Sequence, residues 1–241
     1  MTDEKLPFTE HLEELRKRII ICLLSIGIGC AISYAFAKSI FNFLAKPLLN
    51  ALPPGGSLIF TNPIEAFITY LKTAFISGIF LASPVILYQL WEFITPGLYE
   101  KEKNYLTPFV LISSFLFIAG ASFGYFFVLP PAFHYLMGFA SNSIHALPSM
   151  REYFNFTSKL LLAFGIIFEV PILIFFLSKV GIVNYKMLCK FQKYAIILSF
   201  FLGAILTPGP DVFSQFMMTI PLLTLYEISI LIARVFGKKT N

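Results

Sequence analysis

Glu169 is the one charged residue between Leu160 and Ser178, in a run otherwise made of apolar and small side chains. It stands ten residues before Lys179, roughly 15 Å along a helix, which sets it near the middle of a bilayer. A carboxylate at that depth costs at least a few kcal/mol and is by default a functional candidate. The competing reading is a protonated glutamic acid bonded to a neighbouring helix. Glutamine would fill that structural role without the risk of ionisation, so the residue type favours function and leaves a proton relay open. Two further carboxylates, Glu14 and Glu102, have cationic neighbours: Arg18 at i+4 from Glu14, and Lys101 and Lys103 on either side of Glu102. By spacing alone these are surface ion pairs, each worth less than about 1 kcal/mol. Asp211 precedes the last apolar run, where it can cap a helix and suit its dipole. Gln215, one turn on, is polar within an apolar face and reads as helix glue or as a partner contact.

Bond-making chemistry finds no parts. The stretch Gly120-Ala121-Ser122-Phe123-Gly124 places a serine in a glycine-rich run, but a dyad needs a histidine at similar depth on another helix. The three histidines are His11, His134 and His145, all outside the apolar runs. Gly120 and Gly124 therefore read as close helix packing. No Walker, Rossmann or HExxH pattern occurs. Cys22, Cys30 and Cys189 form no CxxC or Cys/His cluster, so a metal or haem site has no support. Neither a catalytic residue nor a cofactor is expected.

The elements that must position these residues are long apolar runs. Hydrophobic residues make up 57% of the 241 and charged residues 13%, with a mean hydropathy of +0.79. An average soluble domain is about a quarter charged. The charges are clustered, and the gaps between clusters predict six transmembrane helices in a single domain 1–241, near 19–38, 67–91, 105–129, 154–178, 194–207 and 212–233. Pro130-Pro131 is expected to end the third span, with a short external helix over 133–140. With the N-terminus in the cytoplasm, most of the 18 Lys and Arg fall on cytoplasmic segments, so both termini are placed inside. The net charge of +5 is then a topology signal rather than a nucleic-acid footprint. The mixed charges of the first 18 residues and the absence of a small-residue cleavage pattern argue that the first span is retained.

Residues 8–18 read as a short amphipathic surface helix that Thr9 can cap, with Phe8, Leu12 and Leu15 on one face. The proline-rich stretch 46–66, which includes Pro47, reads as a rigid external loop. The last two spans form a short pair. Tyr194 to Leu206 is 13 residues, about 20 Å against a core of about 30 Å. Either the bilayer thins there or a partner covers the gap, or else a tilted helix continues back into 186–193.

Several strings together resemble TatC, the polytopic receptor subunit of the twin-arginine protein translocase. They are His11-Leu12-Glu13-Glu14-Leu15-Arg16-Lys17-Arg18, Ser83-Pro84-Val85-Ile86-Leu87-Tyr88-Gln89-Leu90-Trp91-Glu92-Phe93 and Pro96-Gly97-Leu98-Tyr99-Glu100-Lys101-Glu102. Further along come Phe123-Gly124-Tyr125-Phe126, Phe164-Gly165-Ile166-Ile167-Phe168-Glu169-Val170-Pro171 and Thr207-Pro208-Gly209-Pro210-Asp211-Val212-Phe213-Ser214-Gln215. The last carries one residue more than the Thr-Pro-Pro-Asp turn frequent in that family. The resemblance implies an all-α, glove-like concave bundle in the prokaryotic inner membrane that binds signal peptides of folded cargo carrying two consecutive arginines. Glu14, Arg16, Phe93 and Glu102 match its recognition site, Pro47 and Asp211 its loop positions, and Glu169 its membrane-embedded acid. Gln215 matches the surface where single-span TatA and TatB subunits dock. It further implies a homo-oligomer within the complex, contact with membrane lipid and transport driven by the proton motive force. The rival class is a proton-coupled small-solute carrier using Glu169.

Overall fold

A computed structural model describes residues 8–94, 106–140, 146–207 and 212–237, with side chains from Leu12 and from Thr107 onwards in the first two stretches. The described chain is helical: α1 Phe8–Tyr34, α2 Ala37–Leu49, α3 Pro63–Ile94, α4 Leu106–Phe123, α5 Leu129–Met137, α6 Met150–Phe168, α7 Val170–Val180, α8 Tyr185–Leu206 and α9 Val212–Phe236. Five helical runs are long and apolar enough to cross a membrane, and α1 with α2, broken at Ala35-Phe36, can make a sixth. The chain divides into two compact units, 1–37 with 70–115 and 38–69 with 116–241.

In the first unit α1 and α3 meet backbone to backbone. A Cβ on Gly29 would lie 2.6 Å from the Gly78 carbonyl oxygen, and one on Gly78 would lie 2.5 Å from the Cys30 nitrogen. Only hydrogen fits at either position, which is how small residues let membrane helices pack closely. The expected surface helix over 8–18 is instead the first part of α1, which runs unbroken to Tyr34 and takes Thr9 inside its bounds. No proline or glycine stands between Phe8 and Ile26 to stop it, and Glu13–Lys17 and Glu14–Arg18 pairs at i, i+4 tie successive turns. Lower on α3, Trp91 Nε1 donates to Ser113 Oγ of α4 at 2.8 Å in a buried contact. Pro84 of α3 has no N–H to give the Phe80 carbonyl, and the Ser83 hydroxyl donates to it instead at 2.8 Å.

In the second unit the stretch read as the start of a loop is helical. Helix α2 is amphipathic: Phe41, Ala45 and Leu48, at i, i+4 and i+7, are buried. Pro47 therefore sits in the last turn of a helix and not in a loop. Its missing N–H would have bonded the Phe43 carbonyl, and the Tyr125 hydroxyl donates to that oxygen at 2.6 Å. Beside it the Tyr153 hydroxyl donates to the Leu44 carbonyl. Beyond α2, Ile59 and Ser149 pair in a parallel β-bridge. Glu65 pins the same junction: its carboxylate accepts from Thr61 N at 2.8 Å, Thr61 Oγ1 at 3.0 Å, Ser149 Oγ at 2.7 Å and Arg151 N at 3.0 Å.

Pro130-Pro131 does not end the third helical run. The chain passes from α4 through a π-helical turn, Gly124–Val128, into α5, giving one run over Thr107–Met137. The prolines sit in the first turn of α5, where absent N–H groups are tolerated, and the wider turn before them accommodates the mismatch. Gly120 and Gly124 pack as expected: a Cβ on Gly120 would lie 2.4 Å from the Phe164 carbonyl oxygen, and one on Gly124 2.9 Å from Leu160 Cδ2. The core here is α6, with Phe154, Leu160 and Phe164 almost fully buried.

Helix α8 starts at Tyr185, not Tyr194, because Asn184 caps it: Asn184 Oδ1 accepts from Met187 N at 2.9 Å. Its 22 residues extend about 33 Å, so the pair is short in its apolar portion and not in its helix. The helix thus continues back through 186–193.

Candidate functional site

In the first unit the residue at the centre of the site is Arg18. Its Nε and Nη2 both donate to Glu14 Oε1, the former at 3.0 Å. Its Nη1 donates to Gln89 Oε1 at 3.0 Å and to Glu92 Oε2 at 2.6 Å. Gln89 and Glu92 are one turn apart on one face of α3. The planar guanidinium thus spans two helices, a geometry a lysine ammonium cannot copy. The Arg18 side chain is 15% exposed, against 29% for Glu14 and 38% for Glu92. Glu14 is therefore part of a half-buried interhelical clamp rather than the surface pair its spacing predicts. Among the described residues the cluster joins two carboxylates to one guanidinium, and such a cluster can hold a guanidinium.

Phe93 follows Glu92 on the last turn of α3 and is half-buried. Arg16 is exposed, and two residues on from Glu14 it points to nearly the opposite side of the helix. Glu102 and Asp211 lie outside the described residues. Sequence reasoning missed Gln89 and Glu92. The available signal was two polar side chains at i, i+3 at the end of an otherwise apolar helix.

The remaining expected residues belong to the second unit. Glu169 is half-buried at the break between α6 and α7, ending one helix and preceding the other. The break follows from Pro171 in the first turn of α7, which has no N–H for the Ile167 carbonyl. Gln215 Nε2 donates to the Phe200 carbonyl at 3.0 Å, which gives it the role of glue between α8 and α9. Close by, a Cβ on Gly203 would lie 2.6 Å from Thr219 Oγ1. Tyr226 and Glu227 continue the seam, the first donating to the Leu188 carbonyl at 2.9 Å and the second accepting from Gln192 Nε2. Among the described residues no group of three His, Cys, Asp or Glu could hold a metal ion.

The chain is similar to proteins of known kind. The family model of the Sec-independent protein translocase protein TatC matches residues 10–221. The "Sec-independent protein translocase protein TatC" of Desulforapulum autotrophicum is 50% identical over 239 residues, covering 99% of this chain and 88% of the relative. That of Aquifex aeolicus is 44% identical, covering 97% of each. That of an Escherichia coli strain is 38% identical, covering 98% of this chain and 91% of the relative. A crystal structure of the twin arginine translocase receptor TatC superposes with a TM-score of 0.83 at 44% identity, over 93% of this chain and 98% of that one. A second, in DDM, gives 0.84 at the same identity, over 92% and 99%. With a family model matched over most of its length and relatives this similar end to end, the chain belongs to the TatC family of Sec-independent protein translocase subunits.

Proposed function

We propose that this multi-pass translocase subunit binds signal peptides with two consecutive arginines, using the carboxylates of Glu14 and Glu102 with Arg16 and Phe93 beside them. The observation that supports this reading is the Arg18 clamp. Glu14 already receives a guanidinium through two nitrogens, and Glu92 accepts from its third. A second guanidinium arriving from a peptide meets acceptors of the right type, and arginine is favoured over lysine for its fixed fork. In this reading both termini are cytoplasmic, the membrane is the prokaryotic inner membrane, and folded cargo crosses at the expense of the proton motive force. Single-span TatA- and TatB-type subunits dock near α8 and α9 around Gln215, several copies of the chain assemble together, and Pro47 and Asp211 keep the external loops in place. Membership of a translocase family favours this over a solute carrier built on Glu169.

The test is peptide binding to the purified full chain in detergent. A twin-arginine peptide should bind, and its Lys-Lys version should bind at least tenfold more weakly. Glu14→Lys and Glu102→Lys should each weaken binding more than Glu100→Lys. Equal binding of the two peptides would sink the proposal.

A further inference from the structure

A cavity of about 480 Å³ opens in the second unit beside the first half of α6. Its lining has two characters. Glu152, Asn155 and Lys159, at i, i+3 and i+7 on α6, make a polar row along one face. Leu48 of α2, Phe133 of α5 and Leu206 of α8 belong to an apolar wall. The volume falls in the range of small-ligand sites.

The charges need an explanation. Lys159 lies nine residues into the helical run Met150–Val180, about 14 Å from its start, and directly precedes the apolar stretch that begins at Leu160. A lysine at the edge of an apolar stretch can lay its stem along that surface and hold its ammonium toward an anionic group at the interface. Among the described residues neither Lys159 nor Glu152 has an ion-pair partner. Both side chains are exposed, so both are available to a ligand. Met150 begins α6 at a membrane-surface end of the span. Counting inward from there, the order is carboxylate, amide, ammonium, with Glu152 and Lys159 separated by about 10 Å of helical rise. A zwitterionic phospholipid presents the opposite order from the surface inward: ammonium, phosphate, then glycerol and acyl chains.

We infer that this cavity is a phospholipid site for a phosphoethanolamine headgroup, with the phosphate on Lys159, the primary ammonium on Glu152 and the first acyl carbons along Leu48 and Leu206. A primary ammonium suits Glu152 because it has three N–H donors for a carboxylate. A quaternary choline has none. The phosphate fits a lysine reached from the interface, as snorkelling side chains are. This site is independent of the peptide-binding reading and stands in a different unit of the chain.

Native mass spectrometry of the full chain, released from detergent with equal amounts of phosphatidylethanolamine, phosphatidylcholine and phosphatidylglycerol, tests it. Phosphatidylethanolamine should be retained at least fivefold over phosphatidylcholine. Lys159→Gln should lower retention of all three at least fivefold, and Lys159→Arg should restore it. Glu152→Gln should remove the preference for phosphatidylethanolamine over phosphatidylcholine and leave phosphatidylglycerol unchanged or higher. Both positions are exposed, so these variants should keep the circular dichroism of the parent. Water-soluble phosphoethanolamine should not displace the lipid at millimolar concentration. Equal retention of the three lipids, indifference to Lys159→Gln, or displacement by the soluble headgroup would overturn the lipid site.

Discussion

Tyr125 and Pro47 should be energetically coupled although they touch only through a third residue. Pro47 leaves the Phe43 carbonyl without its donor one turn on, and the Tyr125 hydroxyl takes that place at 2.6 Å. Tyr125→Phe keeps the ring, which stacks on Phe43 with centroids 4.7 Å apart, and removes only the hydroxyl. A net hydrogen bond is worth roughly 0.5–1.5 kcal/mol, and a buried acceptor left without a donor costs about 1–3 kcal/mol. Tyr125 is 7% exposed, so water reaches the site poorly and Tyr125→Phe should cost about 1.5–2 kcal/mol. In a Pro47→Ala background, the alanine offers its own backbone N–H to the Phe43 carbonyl. The same Tyr125→Phe change should then cost only about 0.5 kcal/mol, a coupling of roughly 1 kcal/mol or more. Pro47→Ala by itself mixes relief of a helix-breaking residue with a freer unfolded chain, and the cycle cancels both. The measurement is the unfolding free energy of the four proteins in mixed micelles, followed by circular dichroism. If Tyr125→Phe costs the same in both backgrounds to within about 0.3 kcal/mol, the hydroxyl is not standing in for the proline's missing donor.

Arg18→Lys should destabilise the full chain by about 2 kcal/mol and Glu92→Gln by about 1 kcal/mol, values held low because Glu92 is 38% exposed. The double variant should cost less than the sum, and strict additivity in the same unfolding assay would show that the two side chains do not share a bond. Gly120→Ala should cost roughly 1–3 kcal/mol by forcing α4 from the Phe164 backbone, whereas Gly27→Ala, where a Cβ meets nothing within 4 Å, should be neutral or mildly stabilising. Indistinguishable melting curves for these two would refute the packing argument. Glu65→Ala removes the acceptor of four hydrogen bonds and should speed amide exchange at Thr61 and Arg151 at least tenfold, with Glu65→Gln intermediate. Unchanged exchange would mean that the Ile59–Ser149 bridge holds the loops without it.

The apolar runs are legible because a bilayer demands long uncharged helices, and the spans expected from charge gaps fall on helices α1, α3, α4, α6 with α7, α8 and α9. Their ends are less so, since a charge gap marks where apolar residues stop and not where hydrogen bonding stops. Tyr194 begins the apolar run, yet Asn184 caps the helix ten residues earlier, and Lys186, Lys190 and Lys193 ride on its exposed first turns. The last turn of helix α2 reads as loop from sequence because Pro47 stands within three residues of its end. Of the site, Glu14 is found by resemblance, and its i, i+4 spacing shows only the half of the clamp that lies within α1. Glu92 is 74 residues from Arg18, a distance over which spacing in one sequence carries no register.

The prolines show the same boundary between what local sequence reveals and what only the fold supplies. Pro84 and Pro47 each leave one carbonyl without a helical donor, and in each case a hydroxyl fills the gap. For Pro84 the donor is Ser83, its immediate neighbour, so the remedy is written in the dipeptide. For Pro47 the donor is Tyr125, 82 residues from Phe43, so no local rule could find it. The second arrangement has a consequence that the first lacks. A serine repairing its own helix leaves the neighbours alone, but a tyrosine reaching across makes the last turn of α2 depend on the π-helical turn that carries Tyr125. That turn exists because Pro130 and Pro131 follow it, as the shift in hydrogen bonding is taken up before two residues without N–H groups. Pro47 and the Pro130-Pro131 pair, far apart in the chain, are thus linked through one tyrosine. Replacing any of them should alter the fit of α2 against the rest of its unit, even where the substituted residue has better helix propensity than proline.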